Sequence, residues 1–317
     1  MKRVVAVLLV LFLHPSSSAA QERELLLAST RRGPLVVRDL RTGATLDESR
    51  LRERVTERKG ERWVLYVHGY GVSADAGSQA RARQLAATVN ANTLMLEWDA
   101  GIAKVGLVPG YVAWKHRTAT RQGVAFARLV EALFWDAGEK APRVTLDVIA
   151  HSMGTEVIRA MLTDTAFPPG IKHLALVAPY NYYDRFDKAY SEAIGAKVGK
   201  TTVYASTTDW VLGFGKATVF WQSGKKQLVG SLNRPHTDTM GYAFVNVTCL
   251  HRQGLRIDTK HFPVHELFTA DVIAFLDDMP TAARIPVRFR YGKWAYDLLN
   301  LGDLSCNKLP AGRLSLR

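Results

Sequence analysis

The twelve residues DVIAHSMGTEVI, 147–158, carry an apolar run into a serine and then into a stretch that reads as the first turn of a helix. Ser152 has two readings in that setting. Serine is a frequent helix N-cap, because its hydroxyl oxygen accepts from the unpaired N–H groups of the first turn. A serine at a sharp strand-to-helix turn is equally where a nucleophile is presented. The segments on either side decide between the two.

Working outward, short apolar runs alternate with segments of helical period. ELLLAST and GPLVVRDL, within 24–40, read as two strands separated by Arg31-Arg32-Gly33. WVLYVHGYG (63–71) is a buried-strand candidate, SQARARQLAATVNA (78–91) has helix-favouring composition, and NTLMLEW (92–98) is a further strand. GVAFARLVEALFWDAG (123–138) has a broad apolar face and a glycine stop, which predicts a helix. After the strand that leads into Ser152 come a helix over 155–165, strands over 171–180 and 201–207, and a last helix over 263–279. The stretches 100–122, 180–200 and 210–245 read as loops. This alternation predicts the α/β class, with a mostly parallel twisted sheet and helices on both faces.

The chain has 317 residues, 47% hydrophobic and 22% charged, enough for one large core. Its first twenty residues differ in kind. Lys2 and Arg3 precede the apolar run Val4–Leu13, and Ser18-Ala19-Ala20 supplies small residues for cleavage, so residues 1–20 are expected to be a signal peptide for export to the periplasm or medium. That segment carries two cations and no acid, so its removal lowers the net charge from +13 to +11. The expected organisation is a signal over 1–20, an α/β domain over 21–279 and a basic aromatic tail over 280–317. In that tail, ARIPVRFRYGKWAYDLL (283–299) mixes Arg284, Arg288, Arg290 and Lys293 with Phe289, Tyr291, Trp294 and Tyr296. Two readings stand: peripheral contact with an anionic membrane surface, or a basic element whose aromatics pack on the body. Cys249 and Cys306 allow one disulfide in an oxidising compartment, and the sequence leaves open whether they meet.

Open parallel sheets gather functional groups at the carboxyl ends of their strands. Those ends here are His68-Gly69-Tyr70-Gly71, Glu97-Trp98-Asp99, Ala150-His151-Ser152-Met153-Gly154, Ala178-Pro179-Tyr180 and Asp209, followed by the run His261-Phe262-Pro263-Val264-His265. Together YVHGYGVSADA (66–76), LEWDA (96–100), VIAHSMG (148–154), LVAP (176–179) and VYASTTDWVL (203–212) resemble the α/β-hydrolase family from about residue 62 to 278. They are most similar to a bacterial esterase/lipase-like branch of it. AHSMG resembles the family's nucleophile elbow, G-x-S-x-G, with Ala150 in the first glycine position.

The resemblance implies an α/β-hydrolase fold and a serine hydrolase that cleaves esters or thioesters through an acyl-serine intermediate. Ser152 would be the nucleophile and Asp209 the acid, with Asp184, Asp187, Asp238 and Asp258 as rivals. His261 would be the base, with His265 as the alternative. The backbone N–H groups of Tyr70 and Met153 would form the oxyanion hole. The expected partner is a small-molecule ester, not nucleic acid, and no cofactor is expected. A metal held by His261 and His265 lacks a further ligand at a recognisable spacing. Trp114, Tyr180, Tyr182, Tyr183, Trp210 and Trp221 are candidates to line an apolar pocket. Two alternatives remain: a binding module on the same fold without activity, and a membrane-surface lipase or acyltransferase.

Overall fold

The computed structural model describes residues 23–30, 35–70, 83, 87–101, 109–139, 141–180, 190–206, 209, 212, 243–247, 266–279, 285–288 and 294–297. The chain enters through β1 (Leu25–Ser29), β2 (Val36–Asp39), β3 (Thr45–Leu46) and α1 (Glu48–Glu57). The central part runs β4 (Arg62–Val67), β5 (Asn92–Glu97), α2 (Pro109–Phe134), β6 (Thr145–His151), α3 (Gly154–Thr163) and β7 (Ile171–Val177). It closes with α4 (Ser191–Lys197), β8 (Val198–Ala205), β9 (Ala243–Asn246), α5 (Glu266–Leu276), β10 (Ile285–Arg288) and β11 (Trp294–Asp297). Among the described residues no helix is long and apolar enough to cross a membrane.

All the described strands form one sheet in the order β10-β11-β9-β8-β7-β6-β4-β5-β1-β2-β3. The run from β11 through β1 is parallel, and β10, β2 and β3 attach in antiparallel fashion at the two edges. Successive side chains of a strand point to opposite faces, so β6 divides between two cores. Leu146, Val148 and Ala150 pack with Phe126, Val130, Val157 and Met161 of α2 and α3. Ile149 joins Tyr66, Val177 and Tyr204 under Val272 and Phe275 of α5. Every residue of β4 from Trp63 onward and of β6 from Leu146 onward is buried, as a central parallel strand covered on both faces requires.

Two sequence expectations need correction. The helix expected from 123 begins at Pro109, so 109–122 is not loop. Its first half hides Lys115, His116 and Thr118 on the inward side, and buried polar residues break the apolar period that a sequence shows. The loop assigned to 180–200 contains α4 and the first residues of β8. Within the segment expected as a tail over 280–317, β10 and β11 join the same sheet, β11 lying parallel to β9 at Tyr296↔Val245 and Asp297↔Asn246. Cys249 and Cys306, and most of the helix expected over 78–91, lie outside the described residues.

α1 was not foreseen. Asp47 starts it by accepting the Arg50 N–H at 2.8 Å, and only Leu51 and Val55, one turn apart, face the core.

Candidate active site

Ser152 follows the last residue of β6 and has φ of +51°, the left-handed region. A non-glycine residue there costs about 1–2 kcal/mol and persists only where surrounding bonds fix it. Here they do. The Ser152 N–H donates to the Val177 carbonyl at 2.9 Å. The Ser152 carbonyl accepts from the Thr155 N–H at 3.1 Å, from Thr155 Oγ1 at 2.6 Å and from the Tyr180 N–H at 3.1 Å. Tyr180 N–H is shared with Thr155 Oγ1 at 3.2 Å, so the fully buried threonine bridges the elbow and the segment after β7.

The N-cap alternative for Ser152 does not hold. The cap residue of α3 is Met153, in right-handed helical conformation and without a side-chain cap. The Thr155 and Glu156 N–H groups bond instead to the Ser152 and Met153 carbonyls. The Met153 N–H has no acceptor among the described residues and lies at the positive end of α3.

Two glycines let the neighbouring strand ends close on this turn. A Cβ on Gly154 would stand 2.4 Å from the His68 carbonyl oxygen and 2.8 Å from that of Val67. A Cβ on Gly69 would stand 2.8 Å from Ser152 Cβ and 2.9 Å from His151 Nδ1. Glycine is therefore required at both positions, and the His68-Gly69-Tyr70 corner abuts the serine directly. Trp98 holds that corner from behind, donating its indole N–H to the His68 carbonyl at 2.8 Å and stacking on the His68 ring at 6.0 Å between centroids. Ala150, in the position where the elbow pattern has glycine, sits fully buried in register with Val67 and Leu176 and needs no more room than its methyl takes.

Asp209 lies just past β8, two strands from β6, and is buried. One of its carboxylate oxygens accepts the Leu212 N–H at 3.0 Å, which fixes its orientation. His261 and His265, both candidates for the base, are outside the described residues, as are Asp184, Asp187, Asp238, Asp258, Tyr182, Tyr183, Trp210 and Trp221. Tyr180 is buried and Trp114 is exposed.

Sequence reasoning missed the ion group under the elbow helix. Glu156, four residues after Ser152, is fully buried, with its carboxylate 3.0 Å from His116 Nε2 and 2.8 Å from Arg159 Nε. Burial works to raise its pKa, but the charges and hydrogen bonds of His116 and Arg159 outweigh it and bring the value down to about 2. These contacts tie α2 to α3, which also touch at Gly123, where a Cβ would lie 2.4 Å from the Val157 carbonyl oxygen. The signal in the sequence is the pair Glu156 and Arg159, three residues apart in a helix that also carries Val157, Ile158, Met161 and Leu162.

A doubly covered parallel sheet whose central strand ends in a left-handed serine directly before a helix defines the α/β-hydrolase class. Residues 44–274 match the family described as "Alpha/beta hydrolase of unknown function (DUF900)", and the chain belongs to that family. None of the curated proteins compared with it matches. Among solved structures, the esterase Pf2001 of Pyrococcus furiosus is 12% identical, with 69% of this chain and 84% of that chain covered and a TM-score of 0.35. That likeness is too distant to bear on individual residues.

Proposed function

We propose that the protein is an exported serine hydrolase acting on esters or thioesters of small to medium acyl groups. The observation that carries this reading is the strained backbone at Ser152, held against the Gly69 corner and next to the Met153 N–H, which has no acceptor among the described residues. Strain of this kind collects at functional positions, and in this reading the Ser152 hydroxyl works beside the Met153 and Tyr70 N–H groups.

In this reading the Ser152 hydroxyl attacks the substrate carbonyl while His261, or else His265, takes its proton. Asp209 orients that histidine from the β8 side. The developing oxyanion is met by the Met153 and Tyr70 N–H groups, each donor lowering the barrier by about 2.7–4 kcal/mol. The histidine then returns the proton to the leaving alcohol or thiol. Water, deprotonated by the same histidine, releases the acid and restores Ser152.

The test is a p-nitrophenyl ester panel on the wild type, Ser152→Ala, His261→Ala and His265→Ala, with fluorophosphonate labelling of Ser152. Ester turnover that survives in Ser152→Ala ends the reading, and the weaker of the two histidine variants identifies the base. Export is checked by the N-terminus of the protein recovered from cells, expected at Gln21.

A further inference from the structure

The geometry points to an acyl-chain subsite: a rail of three aromatic rings, Tyr70, Tyr111 and Trp114, that leads from the corner beside Ser152 to the surface and takes the neutral, apolar acyl chain of the substrate. That the bound chain is an acyl chain rests on the hydrolase reading; the rail itself rests on the rings.

Tyr70 follows Gly69, the residue that abuts Ser152. Its ring meets that of Tyr111 edge-on at 6.2 Å between centroids, and Tyr111 meets Trp114 at 5.5 Å. Tyr111 and Trp114 come from the first turns of α2, in the stretch that the sequence disguises as loop. The outermost ring, Trp114, is 42% exposed, whereas Phe126 and Phe134 further along the same helix are fully buried. A tryptophan left in water gives up the gain of burying a large apolar ring.

Trp114 is nevertheless held in place. Lys115 is only 2% exposed, and its ammonium lies 4.1 Å from the centroid of the Trp114 ring and 5.5 Å from that of Tyr111. The same nitrogen contacts the Asp99 carboxylate at 2.7 Å and donates to the Asp99 carbonyl at 3.1 Å. A buried ammonium is tolerable only when paired, and here its charge is matched by Asp99 while its field orients two rings. Gly101 presses on the rail from the loop side; with φ of +88°, a Cβ there would stand 2.6 Å from Tyr111 Oη. The three rings themselves offer a ligand an aromatic, uncharged surface, braced by Lys115 and Gly101. Burial, with Tyr111 adding to it, pushes the Tyr70 hydroxyl up to about 12, so it stays neutral.

The sheet order decides which half of the substrate lies there. Asp209 follows β8, on one side of β6, while Tyr70 and Asp99 follow β4 and β5 on the other. The histidine oriented by Asp209 must face the leaving group to return its proton. The leaving group therefore departs on the β8 side, and the acyl chain extends toward β5, along the rail.

The experiment compares p-nitrophenyl octanoate with p-nitrophenyl acetate on the wild type and Trp114→Ala, and titrates both proteins with p-nitrophenyl octyl ether, which has no ester to cleave. Each methylene that an apolar surface removes from water is worth about fourfold in kcat/KM. The octanoate-to-acetate ratio of kcat/KM is expected to fall about tenfold in Trp114→Ala, within the range for lost apolar pocket contacts. Trp114→Phe recovers part of it, and Gly101→Ala, which displaces Tyr111, lowers it as well. Ether affinity weakens in parallel in Trp114→Ala. An unchanged ratio together with unchanged ether affinity overturns the rail. Absence of any ester turnover by the wild type, with ether binding that still depends on Trp114, removes the hydrolase reading and leaves the rail standing.

Discussion

Glu156→Gln tests whether the elbow helix depends on its buried charge. The substitution keeps the shape of the side chain and removes the negative charge that faces His116 and Arg159 at 3.0 and 2.8 Å. The carboxyl titrates at about 2 in the folded chain against 4.5 for an unperturbed glutamate. Linkage converts that difference into roughly 3 kcal/mol of folding free energy at neutral pH. Breaking a buried pair by removing one partner costs about 3–5 kcal/mol, which agrees. In a domain of this size about 3 kcal/mol corresponds to a fall in Tm of roughly 6–12 °C.

The pH dependence is the sharper part. A carboxyl whose folded pKa lies below its unfolded value adds stability that is fully present above the unfolded value and fades as pH falls through the folded one. For Glu156 that window runs from about 4.5 down to about 2. Urea midpoints of wild type and Glu156→Gln, measured from pH 7 to pH 3, should differ by a constant amount down to about pH 5 and converge below it. Equal midpoints at pH 7, or a gap that does not narrow in acid, would refute the reasoning.

Two further outcomes follow from the geometry. Ser152→Gly should melt above Ser152→Ala, because glycine adopts φ of +51° without the cost that alanine retains, about 1 kcal/mol; calorimetry reads the difference, and the reverse order would mean that the turn is not strained. At the other end of the sheet, hydrogen bonds from Lys172, Lys200 and His173 hold the Asp278 carboxyl well below the usual carboxylate range. Its contribution should be complete above the ordinary value of 3.8 and vanish as pH drops further. Asp278→Asn should therefore trail the wild type in urea midpoint near neutrality and match it in strong acid.

The parallel strands β4 to β8 were legible because buried central strands read as continuous apolar runs bounded by glycine or polar punctuation. WVLYVHG, LDVIAHS and IKHLALVAP all do so. The sharp turn after β6 was legible from Ser152 and Gly154, and the close approach of the neighbouring corner from Gly69. What escaped was wherever polar residues face inward. The first half of α2 buries Lys115 against Asp99 and His116 against Glu156, pairings that make sense only once β5 and α3 are in place. α1 escaped for a different reason, since eight of its ten residues contribute no buried side chain and its charged surface swamps the two that do. Thr155 looks like any helical threonine in the sequence, yet its hydroxyl joins the elbow to the residue after Pro179.

The two ends of β6 bear on each other through the register of β7. Leu146 pairs with Ile171 but Asp147 pairs with His173, so β7 carries one extra residue, Lys172, at its start. A bulge of one residue reverses which side chains face which neighbour. Here it brings the buried His173 Nδ1 to 2.8 Å from the Asp147 carboxylate, whose other oxygen lies 2.7 Å from Arg62 Nε. The His173 ring is held again at Nε2 by Asp278, 3.0 Å away, just past α5. Buried ionic groups are weak stabilisers relative to apolar packing, but they penalise a shifted register heavily because any slip leaves a charge unpaired. The register fixed at Asp147 carries along the strand to His151↔Val177. One step later the Val177 carbonyl receives the Ser152 N–H. A slip of β7 by one residue would deprive the left-handed turn of that bond, so the ion network at the foot of the sheet keeps the serine in its strained position at the top.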